Sequence, residues 1–414
     1  MPMRSPPPLP GVSEPLRAPP RRPPVLALIA ISALSPFAIN VVVPSMPAIE
    51  QAFDADYSRV QLILSMFLAA IAISQIFVGP LSDRFGRRPI LLIGFTIFVA
   101  ASLLAPFAPT IEALIGIRVI QGAAGCVGIA LGRAIVRDLF DRSQAASMLG
   151  YVTMGLAMAP MVAPTIGGLL QESLGWTAIF WLMAALGGLC LLVTWRLIPE
   201  TNFRRTAALS LRSLFADFGQ LLRRRDFLLF TGSSSLTTGV FFTFLGGAPY
   251  VAERILGLRP SVYGLWFALL PLGYALGSFL AARFTERFGV SRMILAGSSL
   301  ALLAVATLLV LSLAGFSGPA ALFVPMGVAG MANGLALPSA VSGAVSVRPE
   351  IAGAASGLSG AAQIGMGAIL SAVGGAALAA SSSALPMFVI MTVAAVLALF
   401  VALAIGRRNQ PRGA

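Results

Sequence analysis

The sequence predicts an all-α membrane protein whose twelve transmembrane helices form two six-helix halves. Composition supports the membrane assignment, because 57% of the 414 residues are hydrophobic and only 10% are charged. The mean hydropathy of +0.91 is higher than a water-soluble domain needs. A helix needs about 20 apolar residues to cross a bilayer core about 30 Å thick. A membrane barrel would instead give segments of about ten residues with alternating polarity, and the sequence lacks that pattern.

Uncharged segments of spanning length recur along the chain and give the helix count. Single spans are predicted at 25–49, 60–82, 89–111, 143–171, 173–195, 227–252 and 260–282, and at 113–132, which only Arg118 interrupts. Two further runs, 293–347 and 351–406, are each about twice the length of a span. They break near 315–319 and 381–386, where glycine, serine and proline favour turns. Eight single spans and two helical hairpins give twelve helices.

The basic residues are distributed unevenly, and their distribution predicts the orientation. All 28 are arginines, and a cytoplasmic N-terminus places 24 of them in cytoplasmic segments or at cytoplasmic helix ends. The exceptions are Arg59, Arg118, Arg254 and Arg259. An excess of positive charge on the cytoplasmic side sets the orientation of membrane proteins. We therefore expect a bacterial inner-membrane protein with both termini in the cytoplasm, and no nucleic-acid partner.

The predicted helices divide the chain into five segments. They are a disordered cytoplasmic tail (1–24), an N-terminal half (25–198), a basic cytoplasmic loop (199–226), a C-terminal half (227–406) and a cytoplasmic tail (407–414). Apolar residues between Leu211 and Leu222 follow helical spacing, which predicts an amphipathic helix on the cytoplasmic membrane face. The chain has no histidine, and Cys126 and Cys190 fall inside predicted helices. We therefore expect no metal site, no disulfide framework and no cofactor.

A weak internal repeat relates the two halves. The segment Asp83–Gly86 (DRFG) reappears 203 residues later as Glu286–Gly289 (ERFG). Ser58, near the start of the second helix, corresponds at the same offset to Ser261, near the start of the eighth. Parallel repeats joined by a cytoplasmic loop are one plan of secondary transporters.

Three motifs make the resemblance to a known family specific. The stretch GPLSDRFGRRP (79–89) resembles the signature loop between helices 2 and 3 of the major facilitator superfamily. Arg118, Gln121 and Gly122 resemble its helix 4 pattern, and Gly155, Pro160, Pro164, Gly167 and Gly168 resemble its helix 5 antiporter motif. RAIVRDLF (133–140) and the pair Pro44 and Pro47 are similar to the Bcr/CflA drug-resistance branch. The resemblance implies the major facilitator fold and a drug:proton antiporter.

The signature loop and its neighbours predict a conformational gate on the cytoplasmic side. Its candidate residues are Gly79, Asp83, Arg84, Gly86, Arg87, Asp138 and the repeat residue Glu286. Asp83 is suited to accept hydrogen bonds from the backbone N–H groups at the start of helix 11, where the resemblance places it. Arg84 or Arg87 is expected to pair with Asp138 at the end of helix 4. The alternative is that this loop is only a solvated topology signal.

Asn40, Arg118 and Gln121 are the candidates for a substrate cavity or relay within the membrane. An arginine at this depth is costly unless it faces the bundle interior or a water-filled cavity. The resemblance implies an acid in helix 1, but this chain has Asn40 there, and an amide cannot carry a proton. All 15 acids lie outside the predicted central membrane zone. Glu50 and Glu112 are therefore the candidate proton carriers, with Asp83, Asp138 or an absence of proton coupling as alternatives.

The helix 5 motif predicts a mechanical role, since proline lets a helix bend and glycine permits close packing between the halves. The predicted function is export of small amphipathic molecules or drugs by alternating access in exchange for protons. The protein is expected to act as a monomer in the lipid bilayer. A facilitator or an importer of a small metabolite is the alternative within transport. A membrane sensor or scaffold is the alternative from another class, and an enzyme is not expected, because the membrane zone lacks paired acids and histidine.

Overall fold

The computed structural model describes residues 22–140, 142–202, 211–381 and 383–408, and every regular element within them is helical. The long helices are α1 (Val25–Phe53), α2 (Tyr57–Phe85), α3 (Arg87–Phe107), α4 (Ile111–Leu139), α5 (Arg142–Leu174), α6 (Thr177–Leu197), α7 (Arg225–Ile255), α8 (Pro260–Phe288), α9 (Val290–Leu313), α10 (Pro319–Ser346), α11 (Pro349–Ala379) and α12 (Leu385–Arg408). The tails predicted at 1–24 and 407–414 lie almost entirely outside the described residues.

The predicted all-helical membrane fold is confirmed. Among the described residues, eleven of these helices are long and apolar enough to cross a membrane. The remaining long helix, α5, has 33 residues and carries the predicted antiporter motif. Its crossing, and with it the count of twelve, stays a prediction.

Helix α1 is interrupted where the sequence has its two spaced prolines. A regular helix ends at Val41, a 3-10 turn covers Val43–Ser45, and a short helix continues over Met46–Phe53. Proline lacks a backbone N–H and cannot continue the hydrogen-bond ladder. The break therefore follows from Pro44 and Pro47.

The internal repeat has a counterpart in the backbone. Gly86 ends α2 with φ +102°, and Gly289 ends α8 with φ +82°. Both values fall in the left-handed region that side chains with a Cβ rarely adopt. The two halves thus use the same glycine break to pass from their second to their third helix.

The loop between the halves contains the expected short helix, Leu211–Leu222. Leu221 is buried in a cluster with Phe227, Ala344 and Ala355, which belong to the C-terminal half. Phe215 and Leu222 are 57% and 51% exposed. The helix therefore docks on the C-terminal half through one face and leaves apolar side chains outside, and its contact with the membrane surface stays a prediction.

Candidate functional site

The two halves meet through buried hydrogen bonds on the side predicted to face outward. The Tyr57 hydroxyl on α2 donates to the carbonyl of Gly246 on α7 at 2.7 Å. Gln61 Nε2, one turn further along α2, donates to Ser371 Oγ on α11 at 2.9 Å. A Cβ added at Gly246 or Gly375 would overlap the Gln61 side chain. These glycines allow α7 and α11 to close around Gln61.

Helices α5 and α8 make backbone contact on the same side. A Cβ at Gly168 would collide with the backbone of Pro260 and Ser261, and one at Gly264 would collide with the backbone of Pro164 and Thr165. Gly167 meets the Val41 carbonyl of α1 in the same way. Pro164 and Gly168 of the predicted antiporter motif therefore lie at the interface between the halves, while Gly167 packs against α1 of its own half. The same role for Gly155 and Pro160 stays a prediction.

Charged groups border this contact. Glu172, near the end of α5, accepts a hydrogen bond from the backbone N–H of Ser261 at 2.9 Å. Ser261 lies in the first turn of α8, where unpaired N–H groups attract a carboxylate. Glu50 of α1 pairs with Arg254 of α7 at 3.0 Å. Closure on this side thus joins the halves by backbone packing, buried hydrogen bonds and an ion pair.

The same helices separate toward the opposite side. Along α11, a Cβ at Gly365 would lie 3.9 Å from Ala72 of α2, and one at Gly360 would lie 3.3 Å from Gln75. At Gly357 and Gly353, nearer the start of α11, no described atom would lie within 4 Å of such a Cβ. Among the described residues, the halves are therefore joined on the predicted outer side, and α11 separates from α2 toward the predicted cytoplasmic side.

The signature loop forms an ion-pair cluster with α4. Arg87 contacts the carboxylates of Asp83 and Asp138, the latter at 3.2 Å, and the hydroxyl of Ser82. Asp138 also accepts a hydrogen bond from the Thr201 hydroxyl at 2.8 Å. Of the two arginines predicted to pair with Asp138, the structure has Arg87 there, while Arg84 lies over the Phe85 ring.

Glu200, which sequence reasoning missed, organises the same loop. Its Oε1 accepts hydrogen bonds from the backbone N–H groups of Arg87, Thr201 and Asn202, each at 2.9 Å. A Cβ at Gly86 would overlap this carboxylate. Glu200 therefore caps the start of α3, where the helix dipole favours a negative charge. Its separation from Arg87 by 113 residues leaves no spacing signal in the sequence.

The other candidate gate residues are placed as follows. Asp83 is 48% exposed through its side chain, and its described ion pair is with Arg87 in its own half. Its predicted contact with the start of α11 is not made in this conformation, because the halves stand apart there. Glu286 is exposed on α8, and a Cβ at Gly79 would meet no described atom within 4 Å. The latch stays a prediction for the opposite conformation.

Arg118 lies completely buried inside the N-terminal half. One guanidinium nitrogen donates to Gln121 Oε1 at 2.9 Å, and the other donates to the Ala38 carbonyl at 3.3 Å. The guanidinium lies 3.9 Å from the centroid of the Phe67 ring, a cation–π contact that is strong when desolvated. Gln121 in turn donates to Ser102 Oγ at 2.7 Å. Arg118 thus ties α4 to α1 and α2, and through Gln121 to α3.

Asn40 is also buried, and its amide is only partly satisfied. Its Nδ2 donates to the Pro36 carbonyl at 2.8 Å, while Oδ1 has no described hydrogen-bond partner. The predicted proton carriers differ in setting: the Glu50 side chain is 18% exposed, but Glu112 is 64% exposed and pairs with Arg59 at 3.3 Å. Nothing in this geometry favours Glu112, and both assignments stay predictions.

In the C-terminal half, α7 has a wall of buried hydroxyl groups. Four of them lack a described hydrogen-bond partner: those of Thr231, Ser233, Ser235 and Thr238. A narrow cleft of about 20 Å³ adjoins this helix. Its lining is Thr237, Val240, Phe241, Leu270, Ala301, Met326, Ala329, Gly330 and Asn333. The α7 hydroxyl groups and the lining of the cleft together offer apolar surface and hydroxyl groups, and none of these residues is charged.

Comparison with known proteins decides the family. The model of the Major Facilitator Superfamily matches residues 28–255. An uncharacterized MFS-type transporter, YdgK of Bacillus subtilis, is 32% identical over 90% of this chain and 92% of its own length. The chain belongs to the major facilitator superfamily. It is accordingly a multi-pass membrane transporter and not an enzyme.

Two further similarities place this major facilitator protein among its relatives. A bicyclomycin resistance protein homolog of Haemophilus influenzae is 28% identical over 84% of this chain and 87% of its own length, which supports the predicted drug-resistance branch. The crystal structure of a bacterial homolog to the human lysosomal transporter Spinster has a TM-score of 0.70 and 18% identity, and the match covers 94% of this chain and 98% of that one. The second similarity shows the shared fold.

Replacing Asp83 tests whether the loop of this major facilitator protein acts as a gate. We expect Asp83→Asn to lower transport about tenfold, because a hydrogen bond to a charged group contributes about 1.5–3 kcal/mol and 1.4 kcal/mol is a factor of ten. The amount of protein in the membrane should stay unchanged, since Arg87 keeps its pair with Asp138. The measurement is the transport rate per amount of membrane-inserted protein. Asp217→Asn, a charge removal on the loop helix, is the control, and equal rates in Asp83→Asn and the parent would reduce the motif to a topology signal.

Proposed function

We propose that this protein exports small amphipathic molecules, including antibacterial compounds, across the bacterial inner membrane in exchange for protons. The observation that carries the proposal is the one-sided contact between the halves. Tyr57, Gln61 and Gly168 join them on one side, whereas Gly353 and Gly357 of α11 face open space on the other. A transporter that alternates access needs two such arrangements, one open to each side.

The chemistry of the wall supports the substrate class. Buried hydroxyl groups on α7 and the apolar side chains of Phe241 and Met326 suit a lipophilic molecule with a few hydrogen-bonding groups. The relative named a bicyclomycin resistance protein homolog supports an antibacterial compound as one such molecule. Small-molecule substrate, protons and the lipid bilayer are then the partners, and a monomer suffices for the mechanism.

The arginine asymmetry supports an orientation with both chain termini in the cytoplasm. In that orientation, the contact at Tyr57 and Gln61 is an outer closure. A cysteine placed at Ser317 should then react with an impermeant reagent from outside, and one placed at Arg223 should not. The reverse labelling pattern would place both termini outside and the contact at Tyr57 and Gln61 on the cytoplasmic side.

For proton coupling, Glu50 is favoured over Glu112. Its partner Arg254 belongs to the other half, so opening the outer side would break the pair and expose Glu50 to water. Opening therefore frees the Glu50 carboxylate from its arginine partner and makes it accessible from the outer medium. Glu112 pairs with Arg59 within its own half, so the same motion leaves this pair intact.

Transport in proteoliposomes tests the function. We expect amphipathic antibiotics and dyes to accumulate in the liposomes faster when the interior is more acidic than the medium, because outward proton flow then drives their uptake. The rate should fall to the downhill level when the pH gradient is collapsed. Empty liposomes and the Gly168→Val variant are the controls. Downhill movement that is indifferent to the gradient would favour a facilitator, and compound binding without movement would favour a sensor.

A further inference from the structure

A further carboxyl group, that of Glu253, lies at the outer closure and belongs neither to the motifs nor to the proposed proton carrier Glu50. Glu253 sits in a π-helical turn, Val251–Ile255, at the end of α7. Such turns are rare and often occur at functional sites. The residue is half-buried, and its Oε1 is buried without a hydrogen-bond partner among the described residues. Its neighbour Arg254 directs its guanidinium to Glu50.

The surroundings of Glu253 are unfavourable for a negative charge. From its own helix only Arg254 offers a positive charge, and Glu172 of α5 adds a second carboxylate nearby. Its neighbours from α2 and α8 are Tyr57 and Tyr263, both buried, and Glu50 of α1 is also close to Tyr57. The Tyr263 hydroxyl is also buried without a described partner.

Two physical rules decide the state of this carboxyl. A buried carboxylate oxygen without a donor costs several kcal/mol unless the group takes up a proton, and a second carboxylate nearby disfavours ionisation further. Protonation removes the charge and gives Glu253 a donor for hydrogen bonding. Once the outer side opens, the same group is hydrated and ionises at any pH above the ordinary glutamate pKa of about 4.3.

We propose that Glu253 is a proton-binding site of the outer closure, which takes up one proton from the outer medium when the halves close there and releases it when they open. The proposal rests on the proposed alternating access, but not on any particular substrate. It differs from the role of Glu50, since closure pairs Glu50 with Arg254. Closure instead leaves the Oε1 of Glu253 without a hydrogen-bond partner among the described residues.

The sign of the pH dependence of closure follows from the two states of Glu253. Glu253 is ionised when open and protonated when closed. Each unit of falling outside pH should then raise the equilibrium constant for closure up to about tenfold, the slope for one coupled proton.

The test measures closure directly, without a transported compound. Spin labels at Pro109→Cys and Ser317→Cys report the distance across the outer side of the full-length protein in lipid nanodiscs, with Cys126 and Cys190 replaced by alanine. We expect the closed distance to become more populated in the parent from pH 8 to 5. Glu253→Gln should stay closed at every pH, and Glu253→Asp should keep the dependence. Asp56→Asn, which removes an exposed carboxylate next to the outer end of α2, should match the parent.

Two outcomes would overturn the proposal: a parent distance that does not change with pH, or a Glu253→Gln profile that matches the parent. If Glu253→Gln does not fold, a pH-independent Glu253→Asp overturns it equally. The measurement contains no drug, so it can detect pH-linked closure that requires Glu253 even if the protein does not export drugs. Drug export without pH-linked closure would reject only the role of Glu253.

Discussion

Arg118→Ala is expected to lower transport at least about tenfold, since each lost hydrogen bond to a charged group contributes about 1.5–3 kcal/mol and 1.4 kcal/mol is a factor of ten. The side chain is completely buried, so the groups that it contacts are shielded from bulk water. The substitution leaves Gln121 Oε1 and the Ala38 carbonyl without their donor and removes the cation from the Phe67 ring. We expect losses both in stability and in the arrangement of α1 against α4.

Arg118→Lys separates charge from shape. Lysine keeps the positive charge but cannot reproduce the planar guanidinium that reaches two acceptors and stacks on a ring. Its transport should therefore also fall, though less than that of Arg118→Ala. Arg59→Ala, which breaks an exposed ion pair, is the control, because such pairs contribute only about 0–1 kcal/mol.

Transport and thermal unfolding should be measured on the same purified samples. A loss of transport with an unchanged unfolding temperature would give Arg118 a direct role in substrate or water binding. A parallel loss of both would give it a structural role inside the N-terminal half. Full transport by Arg118→Ala would contradict both readings.

Gly168→Val should have an effect of similar size, for a steric reason. A Cβ at this position would collide with the backbone of Pro260 and Ser261, which cannot move aside as a flexible side chain can. Overpacking typically costs about 1–3 kcal/mol, which corresponds to a shift of roughly 5- to 150-fold in the equilibrium between closed and open outer sides. We expect a protein held open on the outer side and a corresponding loss of transport.

Gly188 of α6 provides the matched control, because a Cβ there would meet no described atom within 4 Å. Gly188→Val should therefore transport like the parent. Gly264→Val, which obstructs the same contact from α8, should reproduce the effect of Gly168→Val. Outer-side accessibility, measured by cysteine labelling at Ser45, which is buried where α1 meets α7 and α8, should rise in the Gly168 and Gly264 variants only. Normal labelling and transport in Gly168→Val would remove α5 from the closure mechanism.

Some of the site could be predicted from sequence because its residue types are unusual in their setting. Charged residues within an apolar chain are conspicuous, and so the pairing of Arg87 with Asp138 could be anticipated. Glycine and proline within a spanning helix are similarly informative, and Gly167 and Gly168 do lie at close backbone contacts. The break of α1 follows from the missing N–H groups of its prolines.

The remaining contacts depend on which helices become neighbours. Tyr57 and Gln61 are ordinary polar residues in α2, and only the approach of α7 and α11 turns them into bonds between the halves. Glu200 acts on backbone N–H groups far away in the chain, and backbone groups carry no sequence signal. Glu253 could be recognised as an acid near the outer face, but not as one whose Oε1 is buried without a partner.

The enclosure of Arg118 bears on how the protein responds to electrical potential. A membrane potential does work on a charge only when the charge is displaced across the field, about 2.3 kcal/mol for one elementary charge and 100 mV. Every described contact of Arg118 belongs to the N-terminal half, through Ala38, Phe67, Gln121 and Met183. When the halves rock, this charge travels with its own half and is not handed across the interface. The voltage dependence of transport should therefore be set by the ions that cross the membrane. The contribution of the Arg118 charge should be nearly the same in every state.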